Sequence, residues 1–314
     1  MSDSHNHTHR SNGVIYYDLT HAAPMFEPLD GDLTKPDLSR PVGESQPVCA
    51  HGQGVRVRKP DHPASVGYFQ WGAFCLDEHF ATHVDSQCHF ITTDPALQIE
   101  NPDRRHAHEF TLADLIGPIV YVDISERVAA ELAKNGGRPS PDIAITDFSN
   151  TSRATVRVDD IEAVEAFIVD GAYLVFNTGW EATYWGAAPD NPWYHPYNNG
   201  LNHPGVTPDV VDWLIALEER KGIRINGMVA DNIAVESGHS LLGPTGSVDE
   251  TPAKIDGAYL HAVGLQRGWK LVENAASLSL LAGHAQGSGT LFVGASRIIG
   301  VSGTPARLVA MYTA

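Results

Sequence analysis

HFATHVDSQCH, residues 79–89, places His79, His83, Asp85 and His89 at offsets of 0, 4, 6 and 10. On a helix the offset of six turns Asp85 about 240° away from His79, at about 100° per residue, so a single helical ligand face is ruled out. On a strand the four share parity and face one way, but ten residues at about 3.3 Å each would set His79 and His89 about 33 Å apart. The segment must therefore bend, and its small residues Ala81 and Ser86 allow that. Three imidazoles and one carboxylate suit Zn²⁺ or Mn²⁺, and the lack of a thiolate cluster points to a catalytic ion instead of a purely structural one.

Around this cluster the chain reads as alternating strands and helices without a regular βαβ rhythm, which predicts an α/β (mixed α+β) fold. Residues 65–77 (SVGYFQWGAFCLD) form an expected strand leading into the histidines, after a long proline-punctuated loop that runs to about Pro60 and is expected to border a pocket or reach a second subunit. PIVYVDIS (118–125), AYLVFNTGW (172–180), INGMVADNI (225–233) and WKLVEN (269–274) read as strands, and the glycine-rich stretch from Thr290 to Tyr312 as β structure. Helices are expected after Ser125 as N-cap, over DDIEAVEAF, around YLHAVGLQRG, and from Pro208 with Thr207 as cap. Residues 181–203, rich in aromatics, Asn and Pro, read as a lid or specificity loop.

Composition narrows the function. With 21 Lys+Arg against 38 Asp+Glu, the net charge of −17 makes nucleic acid and anionic membrane surfaces poor partners. At 42% hydrophobic and 19% charged, the chain has the make-up of a folded globular protein and not of a disordered one. Cys49, Cys75 and Cys88 suggest neither a disulfide framework nor a zinc-thiolate site. No apolar run approaches the roughly 20 residues of a membrane span, so a cytoplasmic location is expected. Residues 1–12, with His5, His7 and His9, read as a flexible polar tail, and 13–314 as one domain.

The spacing resembles the hallmark H-x-G-T-H-x-D-x-P-x-H of the cyclase family of metal-dependent hydrolases, which includes kynurenine formamidase, isatin hydrolase and trans-dienelactone hydrolase. His79, Thr82, His83, Asp85 and His89 match; Ala81 stands where the family has glycine and Gln87 where it has proline. The family's histidine and, twelve residues on, glutamate near the C-terminus correspond to His261 and Glu273 in LHAVGLQRGWKLVEN. Further echoes are Asp18-Leu19-Thr20-His21, Thr178-Gly179-Trp180 and Gly303-Thr304-Pro305-Ala306-Arg307, while Ala234 replaces a serine the family often has.

The resemblance implies a swivelling β/β/α-type domain that assembles as a homodimer or homotetramer. It also implies one ion on His79, His83 and Asp85, a second on Asp85, His261 and Glu273, and His89 as acid/base. One or two Mn²⁺ or Zn²⁺ ions per subunit would activate water to cleave the carbon–nitrogen bond of a small cyclic amide, aryl amide or formamide. Lactone opening is the runner-up, and a non-catalytic metal- or ligand-binding module the alternative of a different class. A thiol mechanism through Cys88 is disfavoured, because neighbours in extended chain point to opposite faces. Phe26, Trp180, Tyr184 and Trp185, with Trp193 and Tyr197, are expected to supply an apolar wall for a small flat substrate, and Asn177, His195 and His203 to orient polar groups.

Overall fold

The computed structural model describes residues 7–21, 78–133, 155–184, 203–237 and 258–314. The expected strand over 65–77 and the long N-terminal loop lie outside them, as does most of the 181–203 loop. Nine strands are described: β1 (Thr8–Ser11), β2 (Val14–Asp18), β3 (His83–Asp85), β4 (Ile116–Asp123), β5 (Tyr173–Asn177), β6 (Gly227–Ala230), β7 (Lys270–Glu273), β8 (Gly289–Ala295) and β9 (Gly303–Thr313). They run in the order β1-β2-β9-β3-β7-β6-β5-β4-β8, and a further β8–β9 pairing closes the seven strands from β9 to β8 into a barrel. β4, β5, β6 and β7 are parallel to one another, while β3, β8 and β9 join antiparallel.

The parallel strands are apolar along their length because both faces are covered. Ile119, Tyr173, Val175, Val229 and Val272 fill the barrel interior with Val84, Leu291, Val293 and Leu308. The alternate residues Val120, Val122, Leu174, Phe176, Met228 and Leu271 point outward into a second core. There they meet α2 (Ser125–Ala133), α3 (Val158–Glu162), α5 (Pro208–Lys221) and α6 (Tyr259–Gly264) through Val128, Ile161, Leu214, Leu217 and Leu260. Two short helices, α1 (Leu112–Leu115) and α4 (Glu181–Tyr184), complete the set among the described residues.

Three local expectations change. Thr207 does not cap α5 with its side chain; its hydroxyl donates to Asp209 and lies 3.3 Å from the Val156 carbonyl, and the helix starts on Pro208. Ser125 lies within α2, where Asp123 accepts both its amide and its hydroxyl at 2.9 and 2.6 Å. Order also begins before Gly13: β1 pairs with β2, and the His7 ring donates to the Asp18 carbonyl at 2.8 Å, so residues 8–11 belong to the sheet and not to a free tail. Val14, Ile15 and Tyr17 then pair with β9, which anchors this ribbon to the barrel.

β6 sits against β7 so closely that a Cβ on Gly227 would lie 2.0 Å from the Lys270 carbonyl oxygen. Gly227→Ala is expected to destabilise the protein by at least about 2 kcal/mol, read by urea unfolding, because neither backbone can move without breaking the ladder; an unchanged midpoint would contradict this packing.

Candidate metal centre

β3 is only three residues long and is flanked by turns, so the bend demanded by the 79–89 spacing is present on both sides. Val84 points into the barrel, which sends His83 and Asp85 to the opposite, helix-covered face. In the antiparallel β3–β7 pair, His83 stands directly opposite Glu273, so the two side chains share that face. α6 lies over the same face in the outer core and brings His261 down to it. Three segments far apart in sequence therefore converge.

The two departures from the family pattern both retain a structural function. Ala81 takes φ +56°, the left-handed region that glycine adopts at no cost, so alanine holds the turn at some expense in strain. The His83 Nδ1 donates to the Ala81 carbonyl at 2.9 Å, which aims Nε2 at the carboxylates. Gln87, fully buried where proline would stand, donates its amide to the Trp269 carbonyl at 2.9 Å, tying the turn to the residue that leads into β7. Thr82 donates to the Asn274 carbonyl and accepts the His21 amide, fixing the other side of the turn.

Asp85 is the hub. Its Oδ1 lies 2.7 Å from His79 Nδ1 and 3.4 Å from His83 Nε2, and its Oδ2 lies 3.5 Å from His261 Nε2. Glu273 lies 3.5 Å from His83 Nε2 and 3.6 Å from His261 Nε2. Two triads, His79–His83–Asp85 and Asp85–His89–His261, have ligand atoms within 4.8 Å of one another. The His89 ring, at the exposed rim, stacks on His79 with centroids 3.9 Å apart and sits 5.6 Å from the His261 ring. Asp85 is fully buried, yet its Oδ2 has no hydrogen-bond partner among the described residues. An orphaned buried acceptor among nitrogen and oxygen ligand groups, with no thiolate among the described residues, fits a divalent ion of the zinc or manganese kind.

The electrostatics follow from crowding two buried carboxylates and four imidazoles together. Burial pushes the Asp85 carboxyl up, but the His261 imidazole 3.5 Å away, the hydrogen bond from His79 and the charges of His83 and His89 hold it well below the usual range. Glu273 goes the other way, raised by burial and by the Asp85 charge. Burial alone would lower His83; the Glu273 hydrogen bond and the charges of Asp85 and Glu273 overcome it and raise it to about 9. His261 is raised by Glu236, Asp85 and Glu273 against the same burial effect. His89 falls to about 4: the protein packed around it lowers it most, His79, His261 and His83 add to that, and Asp85 opposes them. Its rim edge nonetheless remains open to solvent.

All six expected groups thus meet in one place. Around them stand residues that sequence reading missed. Glu78 accepts from the Ser302 amide, the Ser302 hydroxyl and the Gly303 amide, while Ser302 Oγ lies 3.0 Å from His79 Nε2. A Cβ on Gly303 would lie 2.3 Å from the His79 ring, which explains the glycine of the 303–307 echo. Glu236 contacts His261, and the Val235 amide contacts Glu273. A lone acid in a loop carries no periodic signal, so only its contacts identify it. Ala234, at the family's serine position, is buried and offers no hydroxyl.

Other expectations fare differently. Trp180 is 5% exposed and packs in the helix-side core. Phe26, Trp185, Trp193, His195 and Tyr197 lie outside the described residues, and Tyr184 is described only as the end of α4. Asn177 donates to Asp123, and His203 is buried beside the Pro204 carbonyl. Cys88 Sγ sits 3.2 Å from Ser86 Oγ and 3.0 Å from His106 Nδ1.

The Cyclase family model, described as "Putative cyclase", matches residues 17–237, most of the chain. The chain therefore belongs to the cyclase family. An isatin hydrolase of Roseibium aggregatum is 25% identical over 203 residues, covering 60% of this chain; the chain spans just under two thirds, 65%, of that relative's length. In fold, the chain resembles isatin hydrolase A from Labrenzia aggregata bound to benzyl benzoate, with a TM-score of 0.58 at 21% identity over 96% of this chain and 95% of the other. It resembles an isatin hydrolase bound to the product analogue thioisatinate equally well, with a TM-score of 0.58 at 20% identity over 96% and 94% of the two chains.

The imidazoles give the ion-free protein a pH signature. His83, raised from 6.5 to about 9, stabilises the fold fully below pH 6.5, and that contribution is lost as pH rises through 9. His21, His89 and His203, lowered to about 3, 4 and 4, act in the opposite sense and cost stability as pH falls below 6.5. Urea unfolding of the chelator-treated protein is expected to show a maximum near pH 6.5 and, from His83, a loss of up to about 3 kcal/mol by pH 9.5. Stability that is flat or rising over that alkaline range would contradict the buried imidazole–carboxylate pairing.

Proposed function

We propose that this cyclase-family chain is a metal-dependent hydrolase that uses water to open the carbon–nitrogen bond of a small cyclic amide. The observation that carries the reading is the convergence of His79, His83, His89, His261 and Glu273 around the buried Asp85, whose Oδ2 has no hydrogen-bond partner among the described residues. His79, His83 and Asp85 would hold one ion, and Asp85, His261 and Glu273 a second, as Mn²⁺ or Zn²⁺. A divalent ion so held polarises a carbonyl and brings the pKa of water from about 15.7 to about 7.

The chain's own part in the chemistry centres on His89. Its lowered pKa keeps the imidazole neutral near pH 7, so it enters the reaction as a proton acceptor. At the rim it is positioned to take the proton from the attacking water and deliver it to the leaving nitrogen. Water adds to the carbonyl carbon, the C–N bond breaks, and the products are a carboxylate and an amine. His79 packs against the same ring and holds its orientation. Of the relatives, those named isatin hydrolase support the cyclic amide as the substrate class. We also propose a homo-oligomer acting on a small molecule in the cytoplasm.

Activity on isatin is expected to vanish with chelation and to return when Mn²⁺ or Zn²⁺ is restored. Turnover that persists in protein shown by elemental analysis to be empty would overturn the reading, and turnover of dienelactone with no amide cleaved would reassign it to a lactonase. His89→Ala is expected to lower kcat/KM by at least about 10²-fold with the ion still bound. Unchanged activity in that variant would remove His89 from the chemistry and favour a non-catalytic ion site.

A further inference from the structure

The two ligands that come from far down the chain are both met by one dipeptide in the loop after β6. The Val235 amide donates to Glu273 Oε1 at 3.1 Å. The next residue, Glu236, is 1% exposed and receives two donors: the Leu260 amide at 2.9 Å on Oε2 and His261 Nδ1 at 2.6 Å on Oε1. A backbone amide can only donate, and a carboxylate facing two ring or amide nitrogens can only accept, so the hydrogen of that short contact belongs to His261 Nδ1. His261 Nε2 is then the nitrogen left to face Asp85 Oδ2 at 3.5 Å and Glu273 Oε1 at 3.6 Å. The loop itself is held closely: Val206 and the 235–237 backbone exchange hydrogen bonds at 3.0 Å, and a Cβ on Gly205 would lie 2.6 Å from the Glu236 carbonyl.

We propose that Glu236 is a positioning residue that fixes His261 with hydrogen on Nδ1, and so sets how tightly the downstream half of the site binds a divalent ion. The inference rests on the ion-binding reading above. An acceptor-only side chain suits this place, whereas the amide of Glu236→Gln must turn its NH₂ toward either Leu260 N–H or His261 Nδ1. The first choice sets two donors face to face. The second moves the His261 hydrogen to Nε2, where it blocks the ion. Glu236→Asp keeps an acceptor-only group one methylene shorter.

The test is the affinity of the full chain for Zn²⁺ and Mn²⁺, read by competition with a chromophoric chelator, together with long-range ¹H–¹⁵N spectra of the Zn²⁺-loaded wild type. Glu236→Gln is expected to weaken ion binding about 10- to 100-fold, with Glu236→Asp losing less. The spectra are expected to show His261 carrying hydrogen on Nδ1. Wild-type affinity in Glu236→Gln, equal losses in the two variants, or hydrogen on His261 Nε2 would each overturn the assignment. Should Glu236→Gln fail to fold, Glu236→Asp at or below a tenth of wild-type affinity, or the wild-type spectrum, decides against it. A wild-type chain that binds neither ion overturns the proposed function as well, whereas wild-type binding with unaffected variants removes only the role of Glu236.

Discussion

A carboxylate with no solvent exposure, surrounded by imidazoles and by a second carboxylate, is the constraint on which the site depends. Removing such a charge from water is costly unless positive charge or strong donors replace the lost hydration. Asp85 meets that demand with His79, His83 and His261, and in the ion-free chain two of these retain protons well above their ordinary range. Protons and a divalent ion are alternative ways to neutralise the same pair of carboxylates. The buried charge is thus tolerated in the fold because imidazoles surround it, which is also what the proposed cation site requires.

What brings the groups together is strand register. The antiparallel pairing of β3 with β7 sets His83 opposite Glu273, and a one-residue slip would send every side chain of β3 to the other face. The pairing of β3 with β9 on its other edge places Gly303 next to Asp85 and clears the space that the His79 ring fills. The barrel core under Val84 and Val272 and the helix-side core around Leu271 together oppose any such slip. Stability and the proposed ion site therefore share one set of contacts.

Much of this was legible in the sequence. Offsets of 0, 4, 6 and 10 excluded a helix and a straight strand, and the chain does bend on both sides of a three-residue β3. The mixed sheet was readable from its apolar runs, but barrel closure was not, because it depends on the pairing of β8 with both β4 and β9, which no local pattern encodes. Glu236 and Glu78 were invisible for a related reason: their importance lies in which distant donors they receive. Thr207 carried a capping signature, yet nearby acceptors claimed its hydroxyl.

Anomalous diffraction from crystals grown with Mn²⁺ addresses the central claim most directly. A peak bonded to Asp85 and flanked by His79 and His83, with any second peak toward His261 and Glu273, is the predicted result. Density for the same side chains with no anomalous signal among them, at an ion concentration that saturates the protein in solution, would contradict it.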